Sequence, residues 1–174
     1  ISIALDTEER IEIFLNGRGI AAHDILAPGI FGFEGGKKGM NPFMYDWDEK
    51  LARPVRKSLE EARKLLSEAG YPGGKDRTGR QLVIAFDNAW TSAGSAPLIQ
   101  WFIKKFEDIG IRLEPRTTDY NRFQEKIQAG NFQFCSYGWN ADYPDPENFL
   151  FLLYGPNSTA KYHGENHANY INPR

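Results

Sequence analysis

Leu82-Val83-Ile84-Ala85-Phe86 is a continuous apolar run of strand length, and together with the residues after it this run decides the fold. A run this short and apolar suits a strand buried on both faces. Polar residues from Asp87 to Ser95 then predict a loop. From Ala96 to Ile109 the apolar residues Leu98, Phe102, Ile103, Phe106 and Ile109 recur at helical spacing, with Pro97 near the start and Gly110 at the end. Ile111 to Arg116 predicts a second strand, limited by Pro115. Thr118 or Asp119 caps a further helix carrying Phe123 and Ile127, which Gly130 closes. Phe132 to Tyr137 predicts a third strand, and Glu147 to Tyr154 a short helix. Strand–helix–strand–helix–strand with short connections predicts an α/β chain, a βαβαβ-containing mixed sheet with flanking helices, parallel pairing and right-handed crossovers.

Outward from this core the chain is less regular. Ser58 and Glu61 form a capping box before Leu59, Ala62, Leu65, Leu66 and Ala69, and Gly70 ends that helix. Tyr71-Pro72-Gly73-Gly74 is turn chemistry. Residues 17–57 are rich in Gly, Pro and aromatic residues and predict a long loop wrapping the core. Asp6 with Glu9 caps an entry helix bearing Ile11, Phe14 and Leu15, which Gly17 stops. Ile1 to Leu5 reads as the last turns of an earlier helix, and Asn172-Pro173 as a helix-start signal. Residues 1–174 are therefore expected to form a single domain excised from a longer protein. Its parts are entry helices at 1–16, the wrapping loop at 17–57, the α/β core at 58–154 and an irregular tail at 155–174.

The 174 residues are enough to bury a core without crosslinks. With 21 basic and 23 acidic side chains the formal charge is −2, which argues against a nucleic-acid partner. Apolar runs such as Phe149 to Tyr154 are too short to cross a bilayer. Cys135 is the one cysteine, so an internal disulfide and a multi-cysteine metal site are excluded. The 12 Phe, 8 Tyr and 4 Trp are an unusual share, suited to cores and to ligand clefts.

In open parallel sheets, ligands bind beyond the carboxyl ends of the strands. Here those ends lead into Asn88 and Trp90 after the first strand, and into Gly138, Trp139, Asn140 and Asp142 after the third. Two Trp flanked by Asn in strand-end loops predict apolar walls with a few orienting polar groups; the competing role for each Trp is core packing. Asp142, Asp145 and Glu147 form a carboxylate cluster of the kind a glycoside or peptide hydrolase uses. Pro144 and Pro146 favour a turn instead, where Asp and Glu serve as turn and cap residues. His163 and His167 are four apart, but Gly164 and Asn166 argue against a helical metal site and for solvated loop imidazoles. Cys135 lies in a predicted strand with no adjacent His and is expected to be buried and inert. No cofactor and no metal is expected.

Several stretches resemble the peptide/oligopeptide class (family 5) of solute-binding proteins of ABC importers. They are Leu65 to Gly74, Ala96 to Ile111, Asp119-Tyr120-Asn121-Arg122-Phe123 and, most specifically, Trp139-Asn140-Ala141-Asp142-Tyr143-Pro144-Asp145-Pro146-Glu147-Asn148-Phe149. The resemblance covers about the second lobe of a two-lobed periplasmic-binding-protein fold. It implies an exported receptor, periplasmic or on the cell-envelope exterior. The receptor would close this lobe and the first lobe of the same protein over a peptide or similar small solute, for delivery to an ABC permease in the membrane. It implies that Asp142 pairs with the ligand's α-amino group and that the main chain at Gly138 and Asn140 pairs with the peptide backbone. Tyr137, Trp139, Trp90 and Asn88 join the candidate set by position. Pro144-Asp145-Pro146 departs from several peptide binders, and family members also take sugars, opines and metal complexes, so the solute stays open.

Overall fold

The computed structural model describes residues 1–173. The chain divides into two compact units. The first holds Ile1–Asp24, Glu34–Ile84 and Ser92–Pro115; the second holds Ile25–Phe33, Ala85–Thr91 and the chain from Arg116 onward.

In the first unit, α1 (Thr7–Leu15) begins as its capping signal predicts: the Asp6 carboxylate accepts the Glu9 N–H at 2.9 Å. Asn16 and Gly17 end it with φ of 51° and 72°. Strands β1 (Tyr45–Asp48) and β2 (Arg53–Arg56) pair antiparallel, Tyr45 opposite Arg56. This hairpin lies inside the segment that reads from sequence as loop. Its strands are rich in charge and include Pro54, so they carry no clean alternation; a cross-connection holds them instead. Arg56 donates to the Glu8 carboxylate at 2.7 Å and to the Ser2 carbonyl at 3.1 Å, while the Tyr45 hydroxyl donates to Glu8 at 3.0 Å. Burial alone would push the Glu8 carboxyl up, but the bonds from Arg56 and Tyr45 outweigh it and hold it below the usual range. Burial drives the Tyr45 phenol up to about 12.

Helix α2 (Leu59–Glu68) is capped by Ser58, whose Oγ accepts the Glu61 N–H. The turn after it depends on glycine: a Cβ on Gly74, at φ +75°, would stand 1.6 Å from the Gly110 carbonyl oxygen. Strand β3 (Val83–Asn88) leads to α3 (Ala96–Glu107), which buries Phe102 and Phe106, with Ile109 buried just beyond. The Asp108 carbonyl accepts two N–H groups of Arg63, which ties the end of α3 to α2.

Strand β4 (Arg112–Thr117) is followed in the second unit by α4 (Tyr120–Gln128), capped by Asp119, and β5 (Phe134–Cys135). The sheet order is β4-β3-β5. β3 and β5 are parallel, Phe86 opposite Phe134 and Asp87 opposite Cys135. β4 also runs parallel to β3, because Arg112 and Thr118 donate to the Leu82 and Asn88 carbonyls in step. Pro115 sits in this edge strand, where a missing donor is tolerated. The expected α/β class and parallel core are present, with the antiparallel pair forming a separate sheet.

Two strand ends differ from expectation. β3 runs on through Asp87 and Asn88, polar residues that are 1% and 0% exposed. Lys126 of α4 pairs with Asp87, and Asn88 is bonded to Thr117, so tertiary partners hold polar groups inside the strand. β5 is two residues long rather than six. Just before it the Gln133 side chain, not its backbone, accepts the Ala85 N–H at 2.8 Å. Helices α5 (Glu147–Leu150) and α6 (Thr159–Tyr162) are single turns, α5 continuing as a 3-10 turn over Phe151–Leu153.

Candidate functional site

All the candidate residues belong to the second unit. The parallel register sets the carboxyl ends of β3 and β5 side by side, so the chains after Asn88 and after Cys135 leave from one sheet edge. The two loops differ in what they offer.

Asn88 is a strut. It is fully buried, and its Oδ1 accepts the Thr117 hydroxyl at 3.0 Å and the Trp90 N–H at 3.1 Å. Trp90 is half-buried with its ring edge-on to the core residue Phe86 at 5.6 Å. Core packing thus accounts for much of this loop.

The second loop presents more surface. Tyr137 is 37% exposed, stacks on Phe123 at 6.1 Å and meets His167 edge-on at 4.4 Å. Gly138 and Asn140 are exposed, and their backbone groups make no hydrogen bond among the described residues. A Cβ placed on Gly138 would meet nothing within 4 Å, so the main chain there stands open. Trp139 is half-buried against Phe151 at 5.3 Å. Asp142 is exposed, and its carboxylate makes no hydrogen bond or ion pair among the described residues.

One residue organises this loop, and no periodicity or spacing singles it out. Asn148, in α5, is 2% exposed, and its Oδ1 accepts both the Trp139 indole N–H at 3.2 Å and the Asp142 backbone N–H at 3.1 Å. The one usable signal in the sequence is a lone amide directly before the apolar run Phe149 to Leu153.

The other carboxylates of the cluster are engaged locally. Asp145 accepts the Glu147 N–H at 2.8 Å, the turn-and-cap role its proline neighbours predict. Glu147 accepts the Tyr143 hydroxyl, which pushes that phenol up. Cys135 is half-buried, and burial, then the charge of Asp87, raises its thiol to about 11. His163 is an exposed residue ending α6 at φ 58°. His167 is not the solvated imidazole expected: its side chain is 14% exposed, and Nδ1 lies 2.9 Å from the Thr159 hydroxyl. The described residues contain no group of three or more His, Cys, Asp or Glu placed to hold a metal, and no helix long and apolar enough to cross a membrane.

Residues 1–161 match the family model described as bacterial extracellular solute-binding proteins, family 5 Middle, and the chain belongs to that family. It is 27% identical over 173 residues to the oligopeptide-binding protein OppA of Bacillus subtilis, covering 99% of this chain and 28% of the relative. It is 26% identical over 156 residues to heme-binding protein A of Haemophilus influenzae, covering 89% and 25%. Among solved structures, the Helicobacter pylori periplasmic binding protein DppA, in complex with the peptide STSA, superposes with a TM-score of 0.74 at 20% identity over 99% of this chain and 29% of that one. A dipeptide binding protein from Pseudoalteromonas, in complex with Met-Leu, superposes at 0.66 with 28% identity over 99% and 30%. The fold is that of periplasmic binding proteins, and the chain spans between a quarter and a third of the length of these relatives.

Proposed function

We propose that this chain is one wall of a solute receptor that binds a peptide with a free N-terminus and delivers it to an ABC permease in the membrane. The observation that carries the reading is Asp142. Its carboxylate is exposed and uncommitted while its own backbone is pinned by Asn148, so a negative charge is held in place without being neutralised. Such a group suits an ammonium, with which it forms a charge-assisted hydrogen bond. The open main chain at Gly138 and Asn140 suits the backbone of an extended ligand, which accepts any side chain sequence. Tyr137 and Trp139 belong to the same loop, while Asn88 and Trp90 lie at the neighbouring strand end. The first lobe of the same protein supplies the opposite wall, and the whole acts outside the cytoplasmic membrane. The names of the relatives, binding proteins for oligopeptides and for heme, support a binding role over hydrolysis. So does the engagement of Asp145 and Glu147 in local bonds.

The test uses the full receptor. Asp142→Asn is expected to weaken binding of free-amine peptides by about tenfold or more and of N-acetylated peptides little, since acetylation already removes the partner charge. Equal loss for both would show that Asp142 supports the loop instead. Running heme and an oligosaccharide beside the peptides decides the solute class, because a relative of this fold was solved with mannohexaose.

A further inference from the structure

Beside Tyr137 lies a polar recess of about 280 Å³, formed within the second unit by Gln124, Gln128, Tyr137, His163, Glu165 and His167. That is smaller than a site for a whole drug-sized ligand and suits a single long side chain. Its chemistry rests on one hydroxyl proton. Thr159 Oγ1 donates to the Gly164 carbonyl at 2.7 Å, which commits its only proton. The same oxygen, 2.9 Å from His167 Nδ1, must therefore accept, and Nδ1 carries the ring's hydrogen. In the neutral ring that leaves His167 Nε2 as a bare lone pair, buried and without a hydrogen bond among the described residues. It lies 3.4 Å from a carboxylate oxygen of Glu165. Burial lowers the pKa of the His167 ring, against the opposing charge of Glu165, in keeping with a neutral imidazole. The Gln124 amide is taken up by its neighbours: its nitrogen donates to the Tyr120 and Tyr137 hydroxyls, and its oxygen lies 3.5 Å from the Tyr137 hydroxyl. No Lys or Arg lines the recess. Two acceptors facing each other across 3.4 Å, one of them charged, are satisfied together by a ligand that donates to both.

We infer that this recess is a side-chain subsite for a cationic residue of the bound peptide, with the Glu165 carboxylate and His167 Nε2 as its acceptors. The inference rests on the receptor reading above and adds a preference to it. A guanidinium fits best, because its planar fork presents several donors at fixed spacing. The location sets the register. Tyr137 is five residues before Asp142, at most about 17 Å of extended chain. A span of that length lies within the reach of the first five residues of a peptide anchored by its ammonium at Asp142, and this sets the positions to test.

The experiment is isothermal titration of the full receptor at pH 8, where free imidazole is neutral. The ligands are alanine pentapeptides carrying a single Arg at each of positions 1 to 5, or norleucine at the same place. At one position Arg is expected to bind about tenfold tighter than norleucine, and Glu165→Gln is expected to bring that ratio close to one. The all-alanine pentapeptide, titrated against the same variant, reports that it is folded. Equal affinity for Arg and norleucine at every position would overturn the subsite while leaving the receptor reading intact. An Arg preference that survives Glu165→Gln would overturn the assignment of its acceptors. Failure of the unaltered receptor to bind any peptide, the all-alanine one included, would overturn the receptor reading and this inference with it.

Discussion

The Oδ1 of Asn148 lies 3.1 Å from the backbone nitrogen of Asp142, and this single contact sets where the loop's uncommitted carboxylate stands. Asn148→Leu keeps the volume and removes the acceptor, stranding two N–H groups that are only partly exposed. The expected cost is about 2 kcal/mol, read as a fall of several degrees in melting temperature. In the full receptor the same variant is expected to lose peptide affinity even at temperatures where it is folded. Unchanged melting and affinity would remove Asn148 from the account.

The isolated 174-residue chain is expected to bind peptides no better than millimolar. Asp142 is exposed here, and an exposed ion pair contributes only about 0–1 kcal/mol. Immobilising a flexible peptide costs roughly 4 kcal/mol or more. Titration against a peptide library checks this, and a micromolar isotherm would mean that one wall suffices.

Asp87 and Lys126 form an ion pair in which the carboxylate side chain is 2% exposed and the lysine 31%. Lys126→Ala leaves a buried charge without its partner and is expected to destabilise by up to about 3 kcal/mol. The double change Asp87→Leu with Lys126→Met is expected to recover most of that loss, because it removes the charge as well as the pair. Urea denaturation of the two variants and the parent measures the difference. A double variant as unstable as the single one would contradict this reading of the pair.

Glu8 supplies a pH dependence whose sign is fixed by its partners. Bonds from Arg56 and Tyr45 outweigh burial and hold its carboxyl below the usual value of 4.5 in the folded state. The stabilisation is therefore present above that pH and is lost as the pH falls through the folded value. Arg56→Gln is expected to lower the melting temperature at neutral pH. The gap to the parent should narrow between about pH 5 and pH 3. A gap that stays constant across that range would assign the loss to the Arg56–Ser2 contact instead.

What local sequence determined here is what local physics decides. Asp6, Ser58 and Asp119 each announce a helix because the capping oxygen and its N–H partner are three residues apart, and all three caps form. The apolar run ending at Phe86 announces a buried strand, and the spacing of Phe102 and Phe106 a helix with one buried face. The motif from Trp139 to Phe149 carried the family. Only the tertiary structure decided the rest. Asp87 and Asn88 read as loop because they are polar, yet partners 39 and 29 residues away hold them in β3. The hairpin at Tyr45 and Arg56 has no alternation to reveal it and depends on Glu8, 37 and 48 residues distant. His167 reads as solvated until Thr159 and Tyr137 close around it. In each of these, polar groups are made tolerable by specific partners outside their own element, and such pairings leave no periodic trace in the chain.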